Sequence, residues 1–336
     1  MTTYERAHPA RGAAVTPPAA PVRLGIIGTG GILDRFLPGA RRSASIDVVA
    51  IASREPDRAR AAADSRGIPR AHGSYDSLLA DADVDAVYIC LPNAMHHPWT
   101  MRSLAAGKHV LCEKPYSTDA TEVEAAHDLA ESRGLILTEG FMWRHGPHAI
   151  RFSEELGRVG ALRTIRTTFS FQIESEEDIR LSRDLAGGSL MDVGTYCVSA
   201  SRLLVGREPI AAIGLAWPAP SGVDERFSGI LDFGEGVVAS LTSGFRSRHS
   251  GIEAIGADGS LRLDDPFAGR ATKLVGSDGF VAAIPKIDPY ELELDDFAAA
   301  IRGEHAPRLG RADMLGQARA LAALYESAAT GRLVSL

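Results

Sequence analysis

Cysteine is scarce: three residues in a chain of 336. Cys90, Cys112 and Cys197 each lie inside an apolar segment, with no metal-type spacing. That excludes a disulfide framework and points to reduced core thiols in a cytoplasmic protein. Positive charge is in deficit, with 36 Lys and Arg against 43 Asp and Glu and a net charge of -7. Nucleic acid and anionic membrane surfaces are therefore not expected as partners. No apolar run approaches the ~20 residues that a membrane span requires. The ten histidines supply no His-x-x-x-His on a clear helix face with a third ligand, so no metal site is expected. Residues 1–21 have no apolar core of the kind a secretory signal carries. They are rich in Ala and Pro and read as a flexible tail.

Hydrophobic content of 45% suits a globular protein, and the length predicts two domains. The organising stretch is Val110-Leu111-Cys112-Glu113-Lys114-Pro115. It reads as a short buried strand ending on a charged pair and a breaker. In an open α/β sheet, ligands sit beyond the carboxyl ends of the strands. Lys114 thus arrives where a cofactor's reactive ring would lie; the alternative is a solvated lysine at a strand end.

Upstream, a strand at Val22 to Ile27 runs into Gly28-Thr29-Gly30-Gly31-Ile32 and then a helix from about Asp34. Strand, glycine turn and helix form the context of a dinucleotide fingerprint. Gly28 makes the tight turn, and Gly30 lets backbone approach a pyrophosphate at the helix N-terminus. The third glycine falls at Leu33, so the match is partial. The second strand, Asp47 to Ala52, ends in Ser53-Arg54, where an NAD site would carry an acid for the ribose 2′-hydroxyl. Ser53 cannot repel a 2′-phosphate, and Arg54 can pair with one, assisted by Arg58. NADP(H) is therefore the expected cofactor, with NAD(H) left open because Arg54 also reads as a surface charge.

Helices are expected at 56–66 and 74–80. A strand from Val84 to Leu91 then leads to Pro92, Asn93 and His96 beside the cofactor; His96 reads equally as a helix cap or surface residue. Another helix closes at Gly107, the Lys108 to Cys112 strand follows, and a helix from Asp119 to Arg133 precedes a strand at Leu135 to Thr138. This β-α alternation over residues 22–143 is a doubly wound parallel sheet.

Residues 144–336 change character. Residues 161–173 alternate strictly, with Ile165, Thr167, Phe169, Phe171 and Ile173 on one face. Further strands near 210–217, 226–233, 236–245, 251–257 and 260–263 predict an α+β domain with a large, mostly antiparallel open sheet. A helix from Ser189 to Val205 places Asp192 and Tyr196 on one face. Asp192 reads also as a structural carboxylate, and Tyr196 as a core tyrosine. Helices near 291–302 and 311–330 end the chain.

The motifs occur in one series: the glycine turn, Ser53-Arg54, Pro92-Asn93 with His96, Glu113-Lys114-Pro115, Phe141-Met142-Trp143-Arg144, and Gly187-Gly188-Ser189-Leu190-Met191-Asp192-Val193-Gly194-Thr195-Tyr196. The chain resembles the glucose–fructose oxidoreductase / inositol dehydrogenase (Gfo/Idh/MocA) family over nearly everything after residue 21. It is most similar to the branch with tyrosine, rather than histidine, four residues after the aspartate. That branch holds dihydrodiol and D-xylose dehydrogenases and deoxysugar 3-ketoreductases. Ser199 disfavours an inositol-dehydrogenase-like site.

The resemblance implies a Rossmann domain, a substrate domain built on an open sheet, and a homodimer or homotetramer through that sheet. It implies Lys114 and Tyr196 as the catalytic pair, with Asp192 near the substrate. The Lys114 ammonium is expected to lower the Tyr196 pKa, and Arg144 and Arg180 are candidates for sugar hydroxyls or a phosphate. Both also read as structural ion-pair members. The expected activity is NADP(H)-dependent hydride transfer at a hydroxyl or keto carbon of a sugar or cyclic polyol. Three rivals stay open: a nucleotide-linked deoxysugar ketoreductase, a non-catalytic dinucleotide-sensing regulator, and an enzyme that uses a tightly held cofactor transiently for redox-assisted elimination or hydrolysis.

Overall fold

A computed structural model describes residues 20–336. The expected tail at 1–21 therefore lies almost wholly outside the described residues. The first half of the rest builds a six-stranded parallel sheet. Its strands are β1 (Val22–Ile27), β2 (Ile46–Ala52), β3 (Arg70–His72), β4 (Ala86–Ile89), β5 (His109–Glu113) and β6 (Leu137–Gly140). Leu24, Ile26 and Ile27 are fully buried, as a sheet covered on both faces requires. The intervening helices are α1 (Leu33–Arg42), α2 (Pro56–Arg66), α3 (Tyr75–Leu79), α4 (His96–Ala105) and α5 (Ala120–Ser132). Their ends follow local chemistry. Pro56 opens α2 and left-handed Gly67 closes it, while the Asp119 side chain accepts from Thr121 N to cap α5.

The spatial order is β3-β2-β1-β4-β5-β6. The order reverses between β1 and β4, which opens a crevice at their carboxyl ends. Three elements differ from the sequence reading: the first is β4, which spans Ala86–Ile89 rather than the expected Val84 to Leu91. β3, an edge strand of three residues, was not expected. β6 begins two residues later than expected because Leu135 N donates to Ala130 O, still closing α5, and Ile136 N donates to the His109 ring.

The second half opens with α6 (Met142–His145) and α7 (Pro147–Glu155), neither expected from sequence, and then the long strand β7 (Leu162–Gln172). After a connection that crosses the crevice comes one continuous helical rod. Its first turn, Leu190–Gly194, is a π-helix, and it continues as α8 (Thr195–Val205). The remaining strands are β8 (Ala211–Pro218), β9 (Asp224–Asp232), β10 (Val238–Gly244), β11 (Arg246–Gly256), β12 (Ser260–Asp264), β13 (Lys273–Gly276), β14 (Val281–Ala283) and β15 (Val334–Ser335). With β7 they form a nine-stranded sheet, β14-β13-β12-β11-β7-β10-β9-β8-β15. All its pairs are antiparallel except β7 with β10. The short strands β13 to β15 had no clear pattern in the sequence.

Helix α8 packs under β7 and β10, and α10 (Arg311–Thr330) under β8. On the opposite face Ile213, Leu215, Trp217 and Ile230 are between 38% and 61% exposed. The two halves are locked together by the last helices. Helix α9 (Pro289–Ile301) lies on α1, where a Cβ at Gly39 would stand 2.6 Å from Tyr290 Cβ. Helix α10 also packs on α5.

Candidate active site

Two cavities meet at the crevice. The first, of about 400 Å³, runs from the glycine turn across the carboxyl ends of β1 and β4. Gly28 holds φ +113°, and a Cβ there would meet the Cys90 carbonyl oxygen at 3.0 Å. Only glycine keeps this path open for a dinucleotide backbone. Gly30 and Thr29 line the cavity, as do Ile32, Ser53, Arg54, Arg58, Leu91, Pro92, Asn93, His96, Glu113 and Lys114. Gly31 lines the neighbouring cavity instead. The Arg58 Nε donates to Thr29 Oγ1 at 2.8 Å, so this arginine folds over the turn. Ser53 is buried and accepts from Glu55 N, while Arg54 stays exposed beside Tyr75.

His96 bridges two chain segments. It is 1% exposed, and its two ring nitrogens lie 2.8 Å from the carbonyl oxygens of Leu91 and Pro115. It ties the end of β4 to the turn after Lys114. Burial pushes its pKa down, against the pull of those carbonyls.

The connection from β7 contributes more than the sequence suggested. Ile179, Leu185 and Gly187 line the cofactor cavity. Asn93 Nδ2 donates to Ala186 O at 2.9 Å, and Ala94 N to Leu185 O at 3.3 Å. The Gly187-Gly188 pair was the available signal. Gly188 holds φ +124°, and a Cβ there would stand 2.3 Å from Asp224 Oδ1. Asp224 in turn accepts from Leu190 N at 2.7 Å and Ser189 Oγ at 2.8 Å, fixing the start of the helical rod.

Lys114, Arg180 and Asp192 line both cavities. Lys114 Nζ donates to Asp192 O at 2.6 Å and to Asp192 Oδ1 at 3.1 Å. Arg180 Nε donates to Asp192 Oδ2 at 2.9 Å. Burial opposes the Asp192 charge, but Lys114 and Arg180 outweigh it and hold its carboxyl below the ordinary range. Lys114 Nζ also stands over the Tyr196 ring, 4.9 Å from its centroid. Behind Lys114, Tyr88 donates to Glu113 Oε1 at 2.5 Å; burial pushes the Glu113 pKa up.

Tyr196 departs from expectation in one respect. Burial first, then nearby Tyr290, Glu113 and Asp192, push its phenol well above the ordinary value. The Lys114 ammonium stands over the ring, 4.9 Å from its centroid, and does not reverse this shift. Tyr196 is therefore held as a neutral phenol.

The second cavity, of about 670 Å³, opens beyond Tyr196. Phe169, Phe267 and Tyr196 form an aromatic wall with ring centroids 5.2–5.5 Å apart. Arg180 lines both cavities. Arg144 lines neither. It is 8% exposed and donates to Ser199 Oγ at 3.0 Å and to Asp313 at 3.2 Å. Its candidacy for substrate contact is corrected: a buried guanidinium needs a carboxylate, and Asp313 on α10 supplies it.

A doubly wound sheet with a glycine turn at its switch point, joined to an open-sheet domain that closes a second cavity, defines a dinucleotide-binding oxidoreductase. A model described as an oxidoreductase family with NAD-binding Rossmann fold matches residues 22–141. The GFO/IDH/MocA C-terminal domain model matches residues 148–262. The chain belongs to the Gfo/Idh/MocA oxidoreductase family. Among its relatives, the D-xylose 1-dehydrogenase (NADP(+)) 2 of Haloferax volcanii is 38% identical, covering 93% of this chain and 99% of that one. A dTDP-3,4-didehydro-2,6-dideoxy-alpha-D-glucose 3-reductase of Streptomyces violaceoruber is 39% identical over 84% and 85%. A crystal structure of a 3-ketoreductase from Actinomadura kijaniata with NADP and TDP-benzene superposes with a TM-score of 0.86 at 32% identity, covering 91% and 98%.

Proposed function

We propose that this protein transfers hydride between NADP(H) and a hydroxyl or keto carbon of a sugar or cyclic polyol, with Lys114 and Tyr196 as catalytic residues. The observation that carries this reading is that Lys114 and Asp192 line both cavities while Lys114 stands over the ring of Tyr196, which lines the second. The nicotinamide supplies or takes the hydride when bound. The glycine turn and the N-terminus of α1 would hold the pyrophosphate, and Arg54 and Arg58 would pair with the ribose phosphate. Lys114, anchored by Asp192, donates to the substrate oxygen and polarises the carbonyl. Tyr196 gives its proton to that oxygen in reduction and takes one in oxidation. Arg180 holds Asp192, so the lysine keeps its direction. A panel of aldoses and keto-sugars offered with NADPH or NADP+ tests the reading by absorbance at the nicotinamide band; no turnover on any carbonyl or alcohol in either direction would overturn it.

Cofactor choice has its own test. Arg54→Ala is expected to weaken NADPH binding by roughly 10–100-fold, the worth of one charge-assisted pair, and NADH by far less. Fluorescence titration of both cofactors reads this directly, and equal losses would remove Arg54 from the 2′-phosphate site.

The exposed face of the nine-stranded sheet is the proposed surface for a homodimer or homotetramer. Ile213 pairs with Ile230 across β8 and β9, and Leu215 and Trp217 continue the same face. Such a patch is self-complementary about a twofold axis. Leu215→Asp is expected to shift the mass measured by light scattering to that of the monomer. A wild-type chain that is already monomeric at micromolar concentration would sink the assignment.

A further inference from the structure

A buried tyrosine normally finds a partner for its hydroxyl. Tyr88 donates to Glu113, Tyr325 donates to Asp224 Oδ1 at 2.9 Å, and the Tyr116 hydroxyl lies 2.8 Å from His97 Nδ1. The two tyrosines that line the second cavity, Tyr196 and Tyr290, differ: neither hydroxyl has a hydrogen-bond partner among the described residues. Tyr290 is only 6% exposed. Its hydroxyl is nonetheless not one of the sealed, unpartnered polar atoms of the interior, which include Trp143 Nε1 and both carboxyl oxygens of Glu293. It opens on the cavity.

Tyr290 is rigidly placed. It lies in the first turn of α9, where the cap residue Asp288 accepts from Tyr290 N at 2.9 Å. Its Cβ closes on Gly39 of α1, and its ring stands edge-on to Phe36 with centroids 6.0 Å apart. The ring thus belongs to the clasp between the two halves, and the hydroxyl reaches past it. Tyr290 lines the second cavity and not the cofactor cavity, so the hydroxyl faces the space left for the sugar. It is near enough to Tyr196 to rank, after burial, as the chief cause of the raised Tyr196 pKa. Burial, then Glu113 and Glu293, push the phenol of Tyr290 itself well above the ordinary value. One cavity therefore holds two neutral phenols, one from α8 and one from α9.

Resting on the reading of this cavity as the place of the reacting sugar, we infer that Tyr290 is a substrate-contacting, specificity-determining residue: its hydroxyl hydrogen-bonds a second hydroxyl of the sugar or polyol, other than the oxygen served by Lys114 and Tyr196. While the cavity holds solvent, the phenol is satisfied by water. A bound sugar displaces that water, and the sugar must then supply the partner. An analogue without the matching hydroxyl leaves the phenol buried and unpaired, which costs roughly 5–150-fold in affinity. Selection by a missing hydrogen bond is stronger than selection by shape in such a pocket.

A cycle that crosses Tyr290→Phe with deoxy sugars tests this. The probes are D-glucose, its 2-, 3-, 4- and 6-deoxy analogues, and myo-inositol, titrated by calorimetry into the NADPH-saturated protein, in which they cannot be oxidised. In the wild-type chain one deoxy analogue is expected to bind at least about fivefold more weakly than D-glucose, by the cost of the unpaired phenol. Tyr290→Phe should weaken D-glucose and myo-inositol by roughly 3–10-fold, the worth of one neutral hydrogen bond, and bind that same analogue as tightly as D-glucose. Because the ring and its contact with Phe36 remain, the melting temperature and the dissociation constant of NADPH should hold. Sugar affinities in Tyr290→Phe equal to those of the wild type, or a deoxy penalty that persists unchanged in the variant, overturns the inference. A loss confined to NADPH assigns the hydroxyl to the cofactor and overturns it too. If sugars are turned over equally well by both chains, the oxidoreductase reading stands and this inference falls. If the cycle shows the coupling but no sugar is turned over, the inference stands and the oxidoreductase reading falls.

Discussion

Tyr196→Phe is expected to lower turnover by ~10²–10⁴-fold while leaving the dissociation constant of NADPH nearly unchanged. The substitution removes one oxygen and preserves the ring. The ring contacts to Phe141, Phe169 and Phe267, at 5.2–5.5 Å, survive, and so does the ammonium of Lys114 above it. What disappears is the proton held at the mouth of the second cavity. Because the Tyr196 pKa is raised, the wild-type phenol stays protonated across neutral pH, and reduction should proceed without a falling limb from this group there. Oxidation needs the phenoxide and should climb as pH rises toward the tyrosine pKa. Stopped-flow measurement of the hydride step in both directions over pH checks the asymmetry. Turnover near the wild-type value in the phenylalanine variant would remove the hydroxyl from the reaction.

The second large effect is on stability. Asp313→Ala should destabilise the protein by about 3–5 kcal/mol, the cost of leaving a buried charge without its partner. Asp313 Oδ1 stands 3.2 Å from Arg144 and 3.6 Å from Arg202. Both arginine side chains are under 10% exposed, so solvent offers little replacement. Arg202 keeps Glu208 and the oxygen of Gln317, which places most of the loss on Arg144. Nearby Glu139, whose pKa burial raises to about 7, is the remaining acid that could compensate. A fall in melting temperature on the order of 5–10 °C follows. Calorimetric scans of Asp313→Ala and Arg144→Met together decide the case. If the pair acts as argued, the double variant is more stable than Asp313→Ala alone.

The network also reaches the helix that carries Tyr196. Gln317 Nε2 donates to the backbone and side-chain oxygens of Thr195, at 2.9 Å and 2.8 Å, immediately before Tyr196. The residue before Tyr196 is thus held by a helix 122 residues later in the chain.

That separation explains which parts of the molecule could be read from sequence. The glycine turn, the Lys114 strand end and the Asp192–Tyr196 spacing are local patterns, and each lies where its pattern put it. Ser53-Arg54 was equally legible because the second strand ends there. Arg144 was not, because its partners Ser199 and Asp313 are 55 and 169 residues away and nothing beside it in sequence distinguishes an inward from an outward arginine. The Tyr196 pKa was misjudged for a similar reason: the ammonium was in view, but the buried surroundings that outweigh it come from α9 and β5. Strands of two to four residues, β3 and β13 to β15, are too short for alternation to register.

The clasp between α1 and α9 has a consequence for how the protein is made. Some 250 residues separate Arg42 from Pro289, which at ~5–20 residues per second is roughly 12–50 s of synthesis. For that interval the glycine turn and its helix exist on the ribosome without the surface that seats Gly39 and Phe36 against Tyr290. A message truncated before codon 289 therefore yields a chain with an intact nucleotide motif and a bare α1, a species for chaperones and proteases rather than for the cofactor.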